Sequence, residues 1–376
     1  MDAFYASVEL LRYPELRGLP VVIGGRSIHQ PELLADGSRR FARLRDYVGR
    51  GVITTSTYEA RALGVFSGTG VMKAAQLAPD AILLPVDFDA YRHYSRLFKA
   101  AVAEITPQIE DRGIDEIYID LSDLPDDTPA LARRIKQAVK DATGLSCSIG
   151  VSPNKLLSKI CSDLEKPDGL TLLSESDVPL RIWPLPVRKI NGIGPRAGEK
   201  LAALGIATIA ELASADPAFL QGNFGRSYAE WLHQASHGID ERPVVTWSEP
   251  KSISRETTFE RDLHPRRDRA ALTDIFTSLC SRVAADLQRK GYLGRTIGIK
   301  LRFEDFRTVT RDLTLPGPTA DPALIRRAAG ECLRRVPLEQ KLRLLGVRAS
   351  ALSSSSAPQV LDESPQGELM LATPDR

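Results

Sequence analysis

The segment GIDEIYID, residues 113–120, restricts the possible folds more than any other part of the chain. Alternate residues of a strand share a face, so the apolar side chains of Ile117 and Ile119 should lie together against a core. The acids Asp115 and Glu116 stand at the head of this strand, where their hard oxygens suit a divalent cation such as Mg²⁺. A bare acidic dipeptide is more often a pair of surface residues near a turn, so only further partners would make it a site.

Short strands and amphipathic helices alternate around this segment. Strand patterns occur at 20–25 and in the peptides PQIEDRG and LSCSIGVS, and helices are predicted near 88–105, 127–144 and 154–166. Because the acidic strand follows closely on PQIEDRG, the sheet should be mixed, with helices on one face, in the split βαβ arrangement.

The sequence changes character after KPDG, residues 166–169. Residues 181–240 are predicted to form short helices interrupted by NGIGP, without a strand pattern, and 241–250 have the composition of a linker. Residues 251–352 contain strand patterns such as RTIGIKLRF together with two helices. The last segment, 353–376, should be disordered. A chain of 376 residues organised in this way should be an α+β protein of several domains.

Positive charge is concentrated in the C-terminal third of the chain. Residues 251–352 hold 21 Lys or Arg against 12 Asp or Glu, a net charge of +9, whereas the whole chain has a net charge of +2. A basic module behind a mildly acidic one indicates contact with a polyanion, although a solvated basic surface explains the count equally well.

Composition favours a cytoplasmic protein without membrane contact. No apolar run approaches the roughly 18 residues of a membrane span, and nothing at the start resembles a secretory leader. The four cysteines form no close pair, which argues against a zinc ribbon or a redox motif, so they should be reduced thiols. They are Cys147, Cys161, Cys280 and Cys332.

Several other side chains could serve a phosphate-rich ligand. The peptide TYEARALG places Tyr58 and Arg61 at helical spacing, Thr55 lies just upstream, and Lys166 follows a predicted helix. An arginine in the first turn of a helix can clamp a phosphate. Taken singly, each of these is an ordinary surface residue, and Tyr5 would be an ordinary core aromatic on a helix over 4–12.

Six motifs follow one another along the chain: MDAFYASVE, TYEARALGV, IDEIYIDLS, NKLLSKICSDLEKPDG, INGIGP and KLRFEDF. In this order and spacing they resemble the motifs of Y-family translesion DNA polymerases, over about residues 1–25 and 51–350. The resemblance implies an α+β right-hand polymerase with a ferredoxin-like palm, small fingers, a helix-hairpin-helix thumb and an α+β little finger. The implied domains are the palm at 1–3 and 86–173, the fingers at 4–85, the thumb at 174–240, the linker at 241–250 and the little finger at 251–352.

The resemblance also implies an activity and its partners. The chain would add deoxynucleotides to a primer 3′ end on a DNA template, by two-metal phosphoryl transfer with two Mg²⁺ ions. Its partners would be primer-template DNA and deoxynucleoside triphosphates, and it would act as a monomer. No exonuclease motif is visible, so proofreading is not expected.

Roles carry over to this sequence residue by residue. Asp115, Glu116 and the backbone carbonyl of Met1 correspond to the metal ligands of the palm, and Asp115 and Glu116 are the catalytic acids. The residues implied to hold the incoming nucleotide are Thr55, Tyr58, Arg61, Lys166 and the steric gate Tyr5, whose ring would clash with a ribose 2′-hydroxyl. The residues expected to contact DNA are Gly192 and Gly194 in the thumb, and Arg255, Arg295, Lys300, Arg302 and Arg311 in the little finger.

The third acid of the family is missing from this sequence. The family's first strand ends in Asp-x-Asp, and here Met1 takes the middle position and Asp2 the last. Either the true protein extends upstream of an internal methionine, or the chain is an impaired enzyme. The first explanation is favoured, because losing a central strand would expose core. The 376-residue chain should then have little or no polymerase activity, and Asp2 should point away from the position of its missing predecessor.

Residues 26–50 form an insertion relative to the family. The insertion contains six arginines against three acids. It could touch the single-stranded template, or it could be a solvated loop, and the loop is favoured because long surface insertions cost little. The arginines are Arg26, Arg39, Arg40, Arg43, Arg45 and Arg50.

The tail contains QGELML, residues 366–371. This peptide resembles the one by which bacterial polymerases dock on the sliding clamp, with Gln366 followed by the aliphatic residues Leu369 and Leu371. The expected partner is therefore a sliding clamp.

Two other functions are compatible with parts of the sequence. A non-catalytic DNA-binding member of the family that recruits partners would explain the missing acid, but not the retained acid pair and triphosphate residues. A nucleotide cyclase-like palm also uses paired acids and two metals. The helix-hairpin-helix and the basic module disfavour a cyclase, which needs no grip on a duplex.

Overall fold

The computed structural model of the protein describes residues 1–355 and divides the chain into two units, one over Met1–Ser248 and one from Glu249 onward. Within this described part, no helix combines the length and apolar character that a membrane crossing requires. The helices of the first unit are Phe4–Arg12, Tyr58–Ala62, Val71–Leu77, Phe88–Ala103, Thr128–Thr143, Lys155–Leu164, Pro195–Ala203, Ile209–Ala213, Pro217–Phe224 and Arg226–Ser236. Its strands are Val21–Gly25, Glu32–Leu33, Arg39–Arg40, Ala42–Arg43, Thr55–Ser56, Ile82–Pro85, Ile109–Asp111, Ile117–Ile119, Ile149–Val151 and Leu170–Leu172.

The predicted fingers contain a four-stranded sheet centred on Val21–Gly25 and Ile82–Pro85, which run parallel. The insertion at 26–50 contributes to this sheet, because Ala42–Arg43 pairs with Ile82–Pro85. Leu44 and Tyr47 are buried in the same core. The interpretation of the insertion as a solvated loop is therefore wrong for its second half, because the buried side chains of Leu44 and Tyr47 anchor that half in the fingers.

The arginines of the insertion hold it to its surroundings. Arg39 pairs with Glu15 at 3.0 Å, Arg40 pairs with Glu32, and Arg45 pairs with Asp80. Arg43 donates to the backbone carbonyl of Asp80. Because these four guanidinium groups already have partners in the protein, a structural role explains them without contact to a template strand.

The predicted palm contains two separate two-stranded sheets instead of one mixed sheet. Ile109–Asp111 and Ile117–Ile119 form an antiparallel hairpin, and Ile149–Val151 runs parallel to Leu170–Leu172. Among the described strands, neither Ile117–Ile119 nor Ile149–Val151 has a partner on its second edge. Both strands line one cavity of about 600 Å³, whose apolar wall includes Phe98 and Ile135 from two palm helices. The sheet is split because this cavity lies between its two halves.

The predicted thumb consists of short helices, as the sequence indicated. Its core includes Ile182, Leu201 and Leu232, and these side chains pack in one cluster with Leu157 and Ile160 of the palm helix Lys155–Leu164. The thumb and palm therefore share a hydrophobic core within the first unit.

The second unit is a four-stranded antiparallel sheet with two helices against one face. The strands, in their order across the sheet, are Ser252–Leu263, Leu342–Ser354, Tyr292–Phe303 and Thr308–Thr319. The helices are Arg269–Lys290 and Pro322–Arg334, and side chains such as Val283 and Ile325 pack on Leu301 and Val347 of the sheet. The opposite face of the sheet is open to solvent. Where the strands are paired in register, alternate residues therefore face either the helices or the solvent.

Candidate functional site

The acid pair stands at the start of the strand Ile117–Ile119. The backbone carbonyl of Asp115 accepts a hydrogen bond from the amino group of Met1 at 2.8 Å. The Glu116 carboxylate, which is partly exposed, is paired with Lys159 from the helix Lys155–Leu164. Glu116 therefore has a compensating cation, whereas the Asp115 side chain lines both the palm cavity and a second pocket.

This second pocket brings together most of the residues predicted for the active site. It has a volume of about 330 Å³ and is lined by palm and fingers residues that are far apart in the sequence. The predicted site residues that line it are Met1, Tyr5, Thr55, Arg61, Asp115 and Lys166. Thr55 reaches the pocket because the strand Thr55–Ser56 pairs with the central strand of the fingers.

Tyr58 lies beside the pocket, next to Arg61. The Arg61 guanidinium carbon is 4.7 Å from the centroid of the Tyr58 ring. The Tyr58 hydroxyl is buried and has no hydrogen-bond partner among residues 1–355. A buried hydroxyl without a partner is costly, and an oxygen-rich ligand such as a triphosphate would satisfy it.

Lys166 supplies a second cation to the pocket. Its ammonium group pairs with Asp163 at 2.6 Å. Burial alone would lower the pKa of Lys166, but the hydrogen bond and charge of Asp163 outweigh it and hold the pKa above its ordinary value. Lys166 is therefore charged at neutral pH, as an anion-binding residue must be.

Asp2 positions the loop that contains Lys166. Its side chain is buried, with one carboxylate oxygen accepting from the Ser148 hydroxyl at 2.7 Å and the other from the Asp168 amide at 2.9 Å. Both oxygens accept hydrogen bonds, and Asp2 does not line the second pocket. These contacts direct the Asp2 side chain to Ser148 and to the Asp168 amide. The sequence prediction did not identify this positioning role, because the burial of Asp2 is not visible in the sequence.

Tyr5 is held firmly at the edge of the pocket. Its ring stacks on Tyr91 with 4.2 Å between centroids and 14° between planes, and its edge meets Phe88. The Tyr91 hydroxyl donates to the buried Glu9 carboxylate at 2.7 Å. Burial, followed by the charge of Asp115, raises the pKa of Tyr5, so its hydroxyl stays neutral. A ring fixed in this way can exclude a bulky substituent.

The oxygen donors at the acid pair fit Mg²⁺ in kind. Asp115 and Glu116 provide hard carboxylate oxygens, and Met1 lines the same pocket as Asp115. In the part of the chain that the structure describes, no group of three or more His, Cys, Asp or Glu side chains is arranged to hold a metal ion. The residues therefore suit a magnesium ion that gains further ligands from a substrate or from one more carboxylate.

The predicted DNA-binding glycines of the thumb differ in their structural role. Gly192 has a φ of 117°, and a Cβ there would lie 2.7 Å from the Trp231 ring, so only glycine fits. Gly194 precedes the helix Pro195–Ala203, and a Cβ there would have nothing within 4 Å. Both glycines leave the backbone open to a close approach.

The predicted DNA-binding cations of the second unit fall on different faces of its sheet. Lys300 and Arg302 face solvent on the open side, following the strand alternation. Arg255 faces the helices and is bound by Asp286 through two hydrogen bonds of 2.5 and 2.9 Å. Arg311 is on the same side as Arg255, at the sheet edge, and Arg295 donates to the Leu315 carbonyl.

The open face also contains Arg348, which the sequence prediction omitted. Arg348 lies directly opposite Gly298 on the neighbouring strand, one row of side chains away from Lys300. In the peptide LRLLGVRAS, Leu345, Val347 and Ala349 face the core. This alternation would have indicated that Arg348 lies on the open face. The predicted clamp residues Gln366, Leu369 and Leu371 lie outside the described residues.

All four cysteines are buried and unpaired. Burial raises the pKa of the Cys161 and Cys280 thiols to about 11, so both stay protonated at neutral pH. The prediction of reduced thiols is therefore confirmed.

Three regions of the chain match family models. Residues 1–163 match the impB/mucB/samB family, residues 250–362 match the C-terminal domain of that family, and residues 175–206 match the HHH motif of the IMS family. The matches fall on the acid-pair region, the basic sheet and the glycine hairpin, respectively.

Curated relatives and a solved structure resemble nearly the whole chain. It is 39% identical over 366 residues to a DNA polymerase IV of Methanoculleus marisnigri, covering 96% of both chains. It is 38% identical over 370 residues to one of Alkalilimnicola ehrlichii, covering 96% of this chain and 95% of the relative. A solved Y-family DNA polymerase chimera of Dbh and Dpo4 matches with a TM-score of 0.78 and 25% identity, covering 93% of this chain and 96% of the chimera.

These similarities confirm the predicted α+β right-hand fold with its helix-hairpin-helix and C-terminal little finger. The family matches and the relatives agree with each other along the chain. The protein therefore belongs to the Y family of translesion DNA polymerases, which are DNA-directed DNA polymerases.

Proposed function

We propose that this protein extends a primer on a DNA template, including damaged templates, by transferring nucleotides from deoxynucleoside triphosphates. The observation that carries the proposal is the convergence of Asp115, Tyr5, Arg61 and Lys166 on one pocket beside a buried hydroxyl without a partner. Two cations and a buried hydroxyl donor suit a triphosphate, and a carboxylate in the same pocket suits the metal that accompanies it.

Each residue has a distinct part in the proposed reaction. Arg61, Lys166 and the Tyr58 hydroxyl bind the triphosphate and neutralise charge as pyrophosphate leaves. Tyr5 bounds the sugar and excludes a 2′-hydroxyl. Asp115 and Glu116 would hold two Mg²⁺ ions, which when bound lower the pKa of the primer 3′-hydroxyl and stabilise the transferred phosphate. Lys159 would release Glu116 for this role.

We further propose that the active form contains one more strand, between Ile117–Ile119 and Ile149–Val151. Met1 and Asp2 support this, because the Met1 amino group donates to the Asp115 carbonyl while the Asp2 amide donates to the Ser146 carbonyl at 3.2 Å. The chain thus bridges both halves of the palm at one end of the cavity. A segment leading into Met1 along the same line would pair with both unpaired edges and bring its last side chain next to Asp115.

The test compares the chain with two extended versions. One version carries a segment of alternating apolar residues before Met1 that ends in Asp, and the control carries the same segment ending in Asn. Both should raise the temperature of unfolding, because both fill the cavity with apolar side chains. Only the Asp version should extend a primer with Mg²⁺, by about 10³-fold over the control.

The same experiment separates the proposal from its alternative. A non-catalytic family member that binds DNA and recruits partners is favoured because, in the described part of the chain, no third acidic side chain joins Asp115 and Glu116 in a metal-binding group. Equal, negligible nucleotide incorporation by all three versions, with DNA binding intact, would support that alternative and contradict the polymerase proposal.

We also propose where the protein acts, which further partner it binds and whether it proofreads. The protein would act in the cytoplasm as a monomer, without a proofreading exonuclease. It would dock on a sliding clamp through residues 366–371, which lie outside the described residues. In the extended version that ends in Asp, deleting these residues should leave primer extension intact and abolish its stimulation by the clamp, and unchanged stimulation would contradict the docking proposal.

A further inference from the structure

Two ion pairs on the open face of the C-terminal sheet each cross a glycine. Where the four strands are paired in register, side chains form rows across this face. The two central rows are Glu256–Gly346–Lys300–Thr310 and Ser254–Arg348–Gly298–Asp312. Each row contains one cation, one acid and a glycine between them, so the acid and the cation are two strands apart.

The pairs form because nothing projects from the intervening strand. Lys300 reaches Glu256 at 2.9 Å across Gly346, and Arg348 reaches Asp312 at 2.8 Å across Gly298. A Cβ at Gly346 would lie 2.9 Å from the Glu256 Cβ, and one at Gly298 would overlap the Asp312 carboxylate. The glycines thus let both carboxylates lie flat on the sheet, against the cations.

The rest of this face suits the backbone of a nucleic acid. The outer rows contain mainly small hydroxyl side chains, such as Thr296, Ser350 and Thr308. Arg302 lies in one of these rows and donates a hydrogen bond to the Thr308 hydroxyl at 3.1 Å. Small side chains and hydroxyl donors permit close approach by phosphates. The face also holds two carboxylates, Glu256 and Asp312, against three cations, which are Lys300, Arg302 and Arg348.

We propose that Glu256 and Asp312 limit the affinity of this face for duplex DNA by occupying Lys300 and Arg348. The inference rests on the proposed DNA-dependent function. A phosphate must displace a carboxylate before it can take either cation, and the displaced carboxylate then repels the phosphate. The two acids therefore weaken the grip on DNA and keep the polymerase easy to release from its template.

The test measures equilibrium binding of the full chain to a labelled primer-template duplex over a range of KCl concentrations. Glu256→Gln and Asp312→Asn should each tighten binding about three- to fivefold at low salt. The slope of log K against log[KCl] should steepen by up to about 0.9 for each cation released, so the gain should shrink as salt rises. Lys300→Ala should weaken binding more in the Glu256→Gln background than in the wild type.

Glu331→Gln is the matched control. It removes the same charge from the same unit, but Glu331 lies on the helix Pro322–Arg334, on the opposite side of the sheet, where it pairs with Arg334. If all three variants tighten binding equally, net charge explains the result and the inference is wrong. If the wild type binds DNA and the Glu256 and Asp312 variants bind no better, only this inference fails. If neither the wild type nor any variant binds DNA, both this inference and the proposed function are wrong.

Discussion

The two units contain the same kind of ion pair in opposite surroundings. In the first unit, Lys155 and Glu110 meet at 2.7 Å with side chains only 10% and 9% exposed. In the second, Lys300 and Glu256 meet at 2.9 Å with side chains 36% and 46% exposed. The buried pair also binds backbone, since Lys155 donates to the Pro243 carbonyl and Glu110 accepts from the Val245 amide.

The difference indicates how each region works. The palm and fingers use buried polar groups with fixed partners, so single substitutions there should have large effects on stability or nucleotide binding. The C-terminal sheet uses exposed charges in competition with salt and with its own acids, so each substitution there should have a small effect that depends on ionic strength.

The largest expected effect is on stability, from removing one partner of the buried pair. Lys155→Met should lower the free energy of unfolding of the first unit by about 3–5 kcal/mol, because it leaves a buried carboxylate without its cation. Lys300→Met, the matched exposed change, should lower the stability of the second unit by less than about 1 kcal/mol. Urea unfolding followed separately in the two units measures both values, and equal losses would contradict the comparison.

The pH dependence of this stability follows from Glu110. Burial alone would raise the pKa of Glu110, but the hydrogen bond from Lys155 and the amide of Val245 hold it below its ordinary value. The folded state therefore releases this proton more readily than the unfolded state, and the contribution is fully present above the unfolded pKa of about 4.3. The stability difference between wild type and Lys155→Met should shrink as the pH falls through the folded pKa of Glu110. A difference that stayed constant down to pH 2 would contradict this assignment.

The next largest expected effect is on the pocket that is proposed to bind the nucleotide. Arg61→Ala should weaken binding of a deoxynucleoside triphosphate about 10- to 100-fold, because it removes a charged hydrogen-bond donor that packs on Tyr58. Titration of the nucleotide into the complex with primer-template DNA measures the change. Arg12→Ala is the control, because Arg12 is exposed and pairs with Asp87 instead of lining the pocket. Equal weakening by both variants would show that general charge, and not the pocket, binds the nucleotide.

The smallest effect separates two faces of one sheet. Arg302→Ala, on the open face, should lower the salt slope of DNA binding by about one. Arg255→Ala should leave that slope unchanged, because Arg255 is directed to the helices and held by Asp286. Salt titrations of the two variants measure both slopes. An equal decrease for Arg255→Ala would mean that the strand alternation does not decide which cations meet DNA.

The sequence predicted the elements of this fold well where periodicity is strong. The predicted helix near 88–105 is observed at Phe88–Ala103, and the glycine-terminated strand at 20–25 is observed at Val21–Gly25. The division of the palm sheet was not predictable, because strands of three residues contain too few side chains to specify which edges pair. The six arginines of the insertion at 26–50 favoured a solvated loop, whereas Leu44 and Tyr47 anchor its second half in the core of the fingers.

The sequence predicted which residues belong to the candidate site but not which contacts surround each of them. The motifs indicated Tyr5, Arg61 and Lys166, and the structure brings all three to one pocket. They could not indicate that Asp2 secures the Lys166 loop, because that contact joins positions 166 residues apart. The role of Arg255 was predicted from its charge alone, without the strand register that directs it to Asp286.

The most direct test of the account is single-nucleotide incorporation after both palm acids are made amides. In the extended version that ends in Asp, Asp115→Asn with Glu116→Gln should reduce incorporation by about 10³-fold or more. Primer-template binding in the absence of Mg²⁺ should stay within about threefold, because the sheet of the second unit is unchanged. Incorporation within tenfold of the parent would contradict the claim that these two carboxylates hold the catalytic cations.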